Sequence, residues 1–154
     1  MGRAGPKGRG LFAASPIPPG VRVARFLGTP KWIWDIPEQC WPYAFQVDYD
    51  RYVLPRTNSR ARYVNHSCNP NCVVSGLSIV TKRKVLRGEE LTFDYSSDVD
   101  WPGFRMACKC GSLECRKVIR AYRFLPKRLK LRYGRSVAKF ILDEYGPVLS
   151  SARP

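Results

Sequence analysis

The sequence predicts a mainly β fold of short strands joined by tight turns, closed by helices near the C-terminus. Three observations carry that expectation. Thirteen prolines and twelve glycines in 154 residues punctuate the chain too often for a helical bundle. Between them the apolar residues fall in short runs bounded by turn residues. Helical spacing emerges only after Pro126. At this length one domain with a real hydrophobic core is expected.

The elements follow in order. Gly8 and Gly10 flank Arg9 just before an apolar strand, Leu11-Phe12-Ala13-Ala14. Glycine lets a backbone approach a neighbour closely or take positive φ. A turn at Pro18-Pro19-Gly20 leads into a strand over Val21–Leu27. Residues 29–57 crowd Trp32, Trp34, Trp41, Tyr43 and Phe45 among prolines 30, 37 and 42. That density reads first as core, with a substrate groove as the functional alternative. Cys40 reads as a small apolar packing residue.

Arg62-Tyr63-Val64-Asn65-His66-Ser67-Cys68-Asn69-Pro70-Asn71 holds the only histidine and a dense set of polar groups. Cys72-Val73-Val74 and Leu77–Val80, split by Ser75-Gly76, predict a hairpin. Arg87-Gly88 is a turn, and Leu91–Tyr95 reads as a strand.

Cys108-Lys109-Cys110-Gly111-Ser112-Leu113-Glu114-Cys115 puts three thiols in eight residues. They cannot pair locally without strain, and a clustered set in a reducing compartment points to metal. A structural zinc site takes four ligands, so one more is needed, from Cys40, Cys68 or Cys72. From Arg116 to Lys139 there are ten basic residues and no acidic one. Pro126 suits a helix start, with Leu129 on the apolar side. A second helix is expected from Ser136, with Val137, Phe140, Ile141 and Tyr145 on one face and Gly146-Pro147 as its stop. Residues 148–154 are expected to fray.

The net charge is +15, from 27 Lys and Arg against 12 Asp and Glu. Such a balance calls for polyanions or acidic surfaces as neighbours but never names them. Nucleic acid, met through the basic C-terminal region, is one such partner. No apolar run approaches the roughly 20 residues that span a bilayer, and the basic N-terminus has no apolar signal segment. An intracellular protein with no membrane partner is expected.

Taken in order, Gly8-Arg9-Gly10-Leu11-Phe12-Ala13, Arg62–Asn71, Gly88-Glu89-Glu90-Leu91-Thr92-Phe93-Asp94-Tyr95 and the cysteine cluster resemble the SET domain of protein-lysine methyltransferases, followed by a post-SET zinc element. The resemblance covers about residues 5 to 119. It implies a SET-domain (β-clip-like) fold of small curved sheets with a pseudoknot that brings the two central motifs together. It divides the chain into a SET domain over 5–107, with a short insert at 29–57, a post-SET element over 108–119 and a basic helical extension over 120–147.

The resemblance also implies roles. Gly8, Arg9, Gly10, Arg62, Tyr63, Asn65 and His66 would bind S-adenosylmethionine. Cys68, Cys108, Cys110 and Cys115 would hold a structural Zn²⁺, leaving Cys72 spare. Tyr95 would orient the substrate amine, and Phe93, two residues before it, would gate the number of methyl groups, favouring di- or trimethylation. Many relatives carry Tyr-x-Gly where this chain has Phe26-Leu27-Gly28, so one channel hydroxyl is missing. The implied reaction is methyl transfer to a lysine ε-amine of a protein, with a histone or other chromatin protein among the candidates. The implied location is the nucleus or chromosome in a eukaryote and the cytoplasm in a prokaryote. Two other classes compete: an inactive SET-fold interaction module and a zinc-stabilised nucleic-acid-binding domain.

Overall fold

A computed structural model describes residues 1–149 of the chain. Gly2–Arg3 (β1) folds back antiparallel on Arg9–Gly10 (β2). Arg22–Arg25 (β3) comes next, shorter at both ends than the expected Val21–Leu27 strand. The aromatic insert supplies Pro30–Trp32 (β4), Phe45–Gln46 (β5) and Arg51–Val53 (β6), in the sheet order β4-β6-β5. Asn65–His66 (β7) precedes the hairpin Cys72–Ser75 (β8) and Ser78–Thr81 (β9). The hairpin forms where its turn residues predict it, with Gly76 at φ +55°, and β9 also pairs with β3.

Thr92–Phe93 (β10) runs parallel to β7, with Thr92 opposite Asn65 and Phe93 opposite His66. This pairing joins the two central motifs. The strand expected over Leu91–Tyr95 is only two residues long, for a local reason. The Asp94 carboxylate accepts the Ser96 N–H at 3.0 Å and turns the chain into a 3₁₀ turn, Tyr95–Ser97. Arg105–Ala107 (β11) and Val118–Arg120 (β12) bracket the cysteine loop as an antiparallel pair.

Two helices close the described chain, Lys127–Tyr133 (α1) and Lys139–Tyr145 (α2). Pro126 caps the first, as its fixed φ predicts. The second begins three residues later than Ser136, because Ser136 N–H closes a turn on Tyr133 O and Ala138 N–H is taken by Ser97 O. Gly146, at φ +65°, ends it. No helix among the described residues is long and apolar enough to cross a membrane. The frayed end expected at 148–154 lies, from residue 150 on, outside the described residues.

One buried cluster runs from Leu11 through Phe26, Phe45, Val64, Ile79 and Phe93 to Tyr122, Leu129, Tyr133 and Ile141. The C-terminal helices therefore pack into the same core as the sheets. Two readings of the sequence need correcting. Trp32 and Trp34 are not core: they stack on each other at 5.0 Å and remain 37% and 69% exposed. The basic run is not unopposed either. Arg116, Arg123, Arg132 and Lys139 pair with Asp94, Asp100, Glu114 and Asp143. Asp143 is the i+4 neighbour of Lys139 and was readable from the sequence, but the other three partners lie 18 to 23 residues away, where no local pattern reveals them. Lys117, Arg120, Lys127, Arg128 and Arg135 face solvent.

Candidate active site and metal cluster

The site is built around Tyr95, which the β7–β10 pairing carries to the centre of the molecule. Its hydroxyl donates to Val64 O at 3.2 Å. Its backbone N–H donates to His66 Nδ1 at 3.2 Å. Burial, reinforced by the Asp98 and Glu90 charges, raises the phenol far above its ordinary pKa. It stays a neutral hydroxyl and serves as a hydrogen-bonding group, not a base.

Tyr95 lines two cavities at once. The first, of about 490 Å³, has mainly aromatic walls: Phe26, Trp41, Tyr52, Phe93, Trp101 and Phe104. Phe93 lies 5.0 Å from Tyr95 and 6.4 Å from Phe26, ring to ring. Phe26 keeps its ring in the wall and contributes no hydroxyl.

The second cavity, of about 530 Å³, is lined by the predicted cofactor residues Gly8, Arg9, Arg62, Tyr63, Asn65 and His66, with Lys7 and Lys109 beside them. Gly10 sits just behind this wall, and both of glycine's uses occur here. Gly8 has φ +83° with open space around a virtual Cβ. Gly10 has no room for one: it would lie 2.7 Å from Glu90 Oε1 and 2.9 Å from the Ala4 Cβ. Asn65 Nδ2 holds this loop in place, donating to Arg9 O at 3.0 Å and to Glu90 Oε1 at 2.8 Å. Lys7 forms an ion pair with the same Glu90. Arg62 stacks over Tyr43 at 3.9 Å and donates to Pro55 O. Arg9 lies over the Tyr63 ring at 5.0 Å.

Both ring nitrogens of His66 are engaged within the protein. Nδ1 accepts from Tyr95 N–H, so Nε2 carries the proton and points at Cys68 Sγ, 3.3 Å away. Burial lowers the ring's pKa to about 4 against the pull of Asp94, so it is neutral at pH 7. Its 3.4 Å approach to Asp94 is then not an ion pair. The ring is a strut between Tyr95 and Cys68.

Beyond it lie the thiols. His66, Cys68, Cys108 and Cys110 place their donor atoms within 4.8 Å of one another, and Cys115 reaches Cys108 and Cys110. Cys68 and Cys108 sulfurs are 3.7 Å apart. Four thiolates around zinc, with bonds of about 2.3 Å, have edges of about 3.8 Å, so the spacing fits the metal. Backbone N–H groups of Arg116 and Lys117 already point at Cys68 and Cys115 sulfurs, at 3.3 and 3.4 Å, as they do at thiolates. Cys110 is brought down to about 7 despite its burial, by hydrogen bonds from backbone and neighbouring thiols. Cys72 is buried away from the cluster and its thiol is pushed up to about 11. Cys40 is also outside it.

The sequence reading missed the group that joins cluster and tyrosine. Asp94, 1% exposed, receives Arg116 in a two-pronged pair at 2.6 and 2.7 Å, and Tyr133 Oη at 2.6 Å. Burial alone would raise its pKa, but Arg116, together with His66 and the Tyr133 hydroxyl, outweighs it and holds the carboxyl below its ordinary range. Arg116 directly follows Cys115, and Tyr133 ends α1. No local pattern signals these long-range partners.

The SET domain sequence profile matches residues 8–96. The chain belongs to the SET domain family. It is 35% identical over 128 residues to histone-lysine N-methyltransferase trr of Drosophila melanogaster, covering 72% of this chain and 5% of that protein. It is 33% identical over 129 residues to human histone-lysine N-methyltransferase 2B, covering 73% and 5%. The chain thus spans only a small fraction of these relatives. Among solved structures, KRYPTONITE in complex with mCHG DNA and SAH superposes with a TM-score of 0.59 at 29% identity, over 76% of this chain and 28% of that one. The methyltransferase domain of human SETMAR gives 0.63 at 20% identity, over 77% and 56%, which speaks for the fold alone. The matched region holds both central motifs, and they meet at Tyr95.

Proposed function

We propose that this SET protein is an S-adenosylmethionine-dependent protein-lysine methyltransferase. The observation that carries the reading is the position of Tyr95, shared by a polar cavity and an aromatic one. Methyl transfer in line needs donor and acceptor to meet from opposite sides of one point.

The polar cavity suits the donor. Lys7, Arg9, Arg62 and Lys109 offer positive charge for a carboxylate, and Tyr43 and Tyr63 offer aromatic faces to an adenine or a sulfonium. Gly8 and Gly10 keep the loop beside it narrow. When bound, S-adenosylmethionine supplies an electrophilic methyl group. Asn65 acts mainly by holding the loop, and His66 by holding Tyr95. The Tyr95 hydroxyl fixes the direction of the amine. The aromatic cavity strips water from that amine, and desolvation lowers its pKa from about 10.4 toward the neutral form that attacks.

Cys68, Cys108, Cys110 and Cys115 are the proposed zinc ligands. The His66 Nε2–H donates to Cys68 and so supports the site from outside it. A zinc there would fasten the 108–119 element against the 5–107 domain, with 120–147 as a packed extension. The names of the relatives point to a histone substrate, and so to the nucleus in a eukaryotic source.

The test has two parts. Calorimetry reads S-adenosylmethionine binding, and a labelled-methyl assay on histones, followed by mass spectrometry, reads the product. Binding and methyl-lysine are expected; absence of both overturns the reading. Phe93, 3% exposed beside Tyr95, is the proposed gate. A hydroxyl there would hold water in the space that an added methyl needs. Phe93→Tyr should shift products from higher states to monomethyl-lysine, and a wild type that stops at monomethyl-lysine would remove Phe93 from that role.

A further inference from the structure

The aromatic cavity contains one feature that the proposed chemistry does not use. Asp98, three residues beyond Tyr95, is 3% exposed and lines the cavity together with Tyr52, Phe93 and Tyr95. Among the described residues its Oδ1 is buried with no hydrogen-bond partner, and no ion pair reaches the carboxylate. The other buried side-chain atom without a partner, Tyr122 Oη, belongs to a residue that lines neither cavity. Arg62 and Arg105 also line the cavity, but Arg62 stacks on Tyr43 and bonds Pro55 O, and Arg105 is exposed. A buried carboxylate without a partner costs free energy in any fold, and such strain collects where a ligand completes the site.

We propose that Asp98 is the counter-ion for the target lysine, receiving its ammonium group as it enters the aromatic cavity; the proton then passes to Asp98 or to water, which leaves the neutral amine that attacks. This deepens the methyltransferase reading and rests on it for the identity of the ligand. Two properties favour an ammonium over other occupants. The cavity's walls are largely aromatic faces, which attract cations. Its lining holds one buried carboxylate, Asp98, whose charge adds to burial in raising the Tyr95 and Tyr52 phenols. Burial, with Asp94 nearby, holds the Asp98 carboxyl well above its usual range, which fits a group awaiting a cation.

The test uses small probes, so that it does not depend on knowing the substrate protein. The 154-residue chain saturated with S-adenosylhomocysteine is titrated with n-butylammonium, n-butanol and n-propylguanidinium at fixed ionic strength. The indole N–H signals of Trp41 and Trp101 report binding by NMR. The wild type should bind the ammonium about tenfold or more tightly than the alcohol, the size of a charge-assisted contact. Asp98→Asn should erase that difference. The wild-type Asp98 carboxyl ¹³C signal should move with the ammonium and not with the alcohol, a readout that needs no variant. Equal binding of ammonium and alcohol, discrimination kept in Asp98→Asn, or preference for the guanidinium would each overturn the proposal; the last would make this a pocket for a flanking arginine. Calorimetry of S-adenosylhomocysteine on the ligand-free chain, before saturation, reports the cofactor cavity separately. Loss of that binding counts against the methyltransferase reading, while the ammonium comparison still decides the role of Asp98.

Discussion

Asp94 and Asp98 lie four residues apart, on opposite sides of Tyr95, and both are almost wholly buried. On one side Asp94 is saturated by Arg116, Tyr133 and the Ser96 N–H, and the thiol cluster follows directly behind. On the other, Asp98 faces a cavity of aromatic rings with its Oδ1 unpartnered and no ion pair to its carboxylate among the described residues. The same residue type therefore carries opposite consequences. A carboxylate that the chain satisfies itself holds elements together, and its pKa falls. One that the chain leaves alone costs stability, and its pKa rises. The difference separates the half of the site that is structure from the half that waits for a ligand.

The largest effect is expected on the saturated side. Structural zinc in small domains contributes on the order of 10 kcal/mol. Cys110→Ser should lose one metal per chain and disorder 108–119, whereas Cys72→Ser should keep it. Metal analysis and amide exchange read both. Equal metal content in the two variants would show that the cluster is not the ligand set.

Asp94→Asn comes next. It leaves Arg116 without its counter-charge, and breaking a buried pair costs about 3–5 kcal/mol. The pH sign follows from the depressed pKa. The Asp94 contribution is present above the unfolded carboxyl's pKa of about 3.9 and is lost as pH falls through the folded value. The gap between wild type and variant in urea melts should narrow below about pH 4. A gap independent of pH would mean that shape, not charge, makes Asp94 important.

How much of this was legible beforehand follows the same division. The hairpin, the Pro126 helix start and the family motifs were readable because their signals are local. The pairing of β7 with β10 became readable only through the resemblance, since nothing local says that Asn65 lies opposite Thr92. The Trp32–Trp34 stack ran against composition, because aromatic density does not tell a core from a surface platform. Charge was misread over the basic run, because three of its four acidic partners lie far along the chain and the fourth, Asp143, lies just past its end. Asp98 carried no signal at all: its meaning lies in what fails to reach it.

The third test moves to the proposed cofactor cavity. Asn65 Nδ2 bridges Arg9 O and Glu90, so Asn65→Ala releases the Gly8–Gly10 loop as well as a polar contact. S-adenosylmethionine affinity should fall by about 1.5–3 kcal/mol, roughly 10- to 100-fold. Calorimetry checks it, and unchanged affinity would detach the loop from the cofactor.

The smallest effect has the most informative sign. Asp98→Asn should stabilise the free protein at neutral pH, by on the order of 1 kcal/mol, or about 2–4 °C in Tm. The amide keeps the shape and removes a buried charge that nothing repays. Because the folded carboxyl's pKa is raised, its stabilising protonated form is fully present below the unfolded value and is lost as pH rises toward the folded one. The variant's advantage should therefore be absent near pH 3 and grow as pH rises, opposite to the trend for Asp94→Asn. A thermal melt series in both variants reads the two slopes side by side. If both variants lose stability with the same pH dependence, Asp98 has a structural partner and the contrast between the two sides of Tyr95 fails. If the slopes oppose, the residue that weakens the empty fold is the one kept for what binds there.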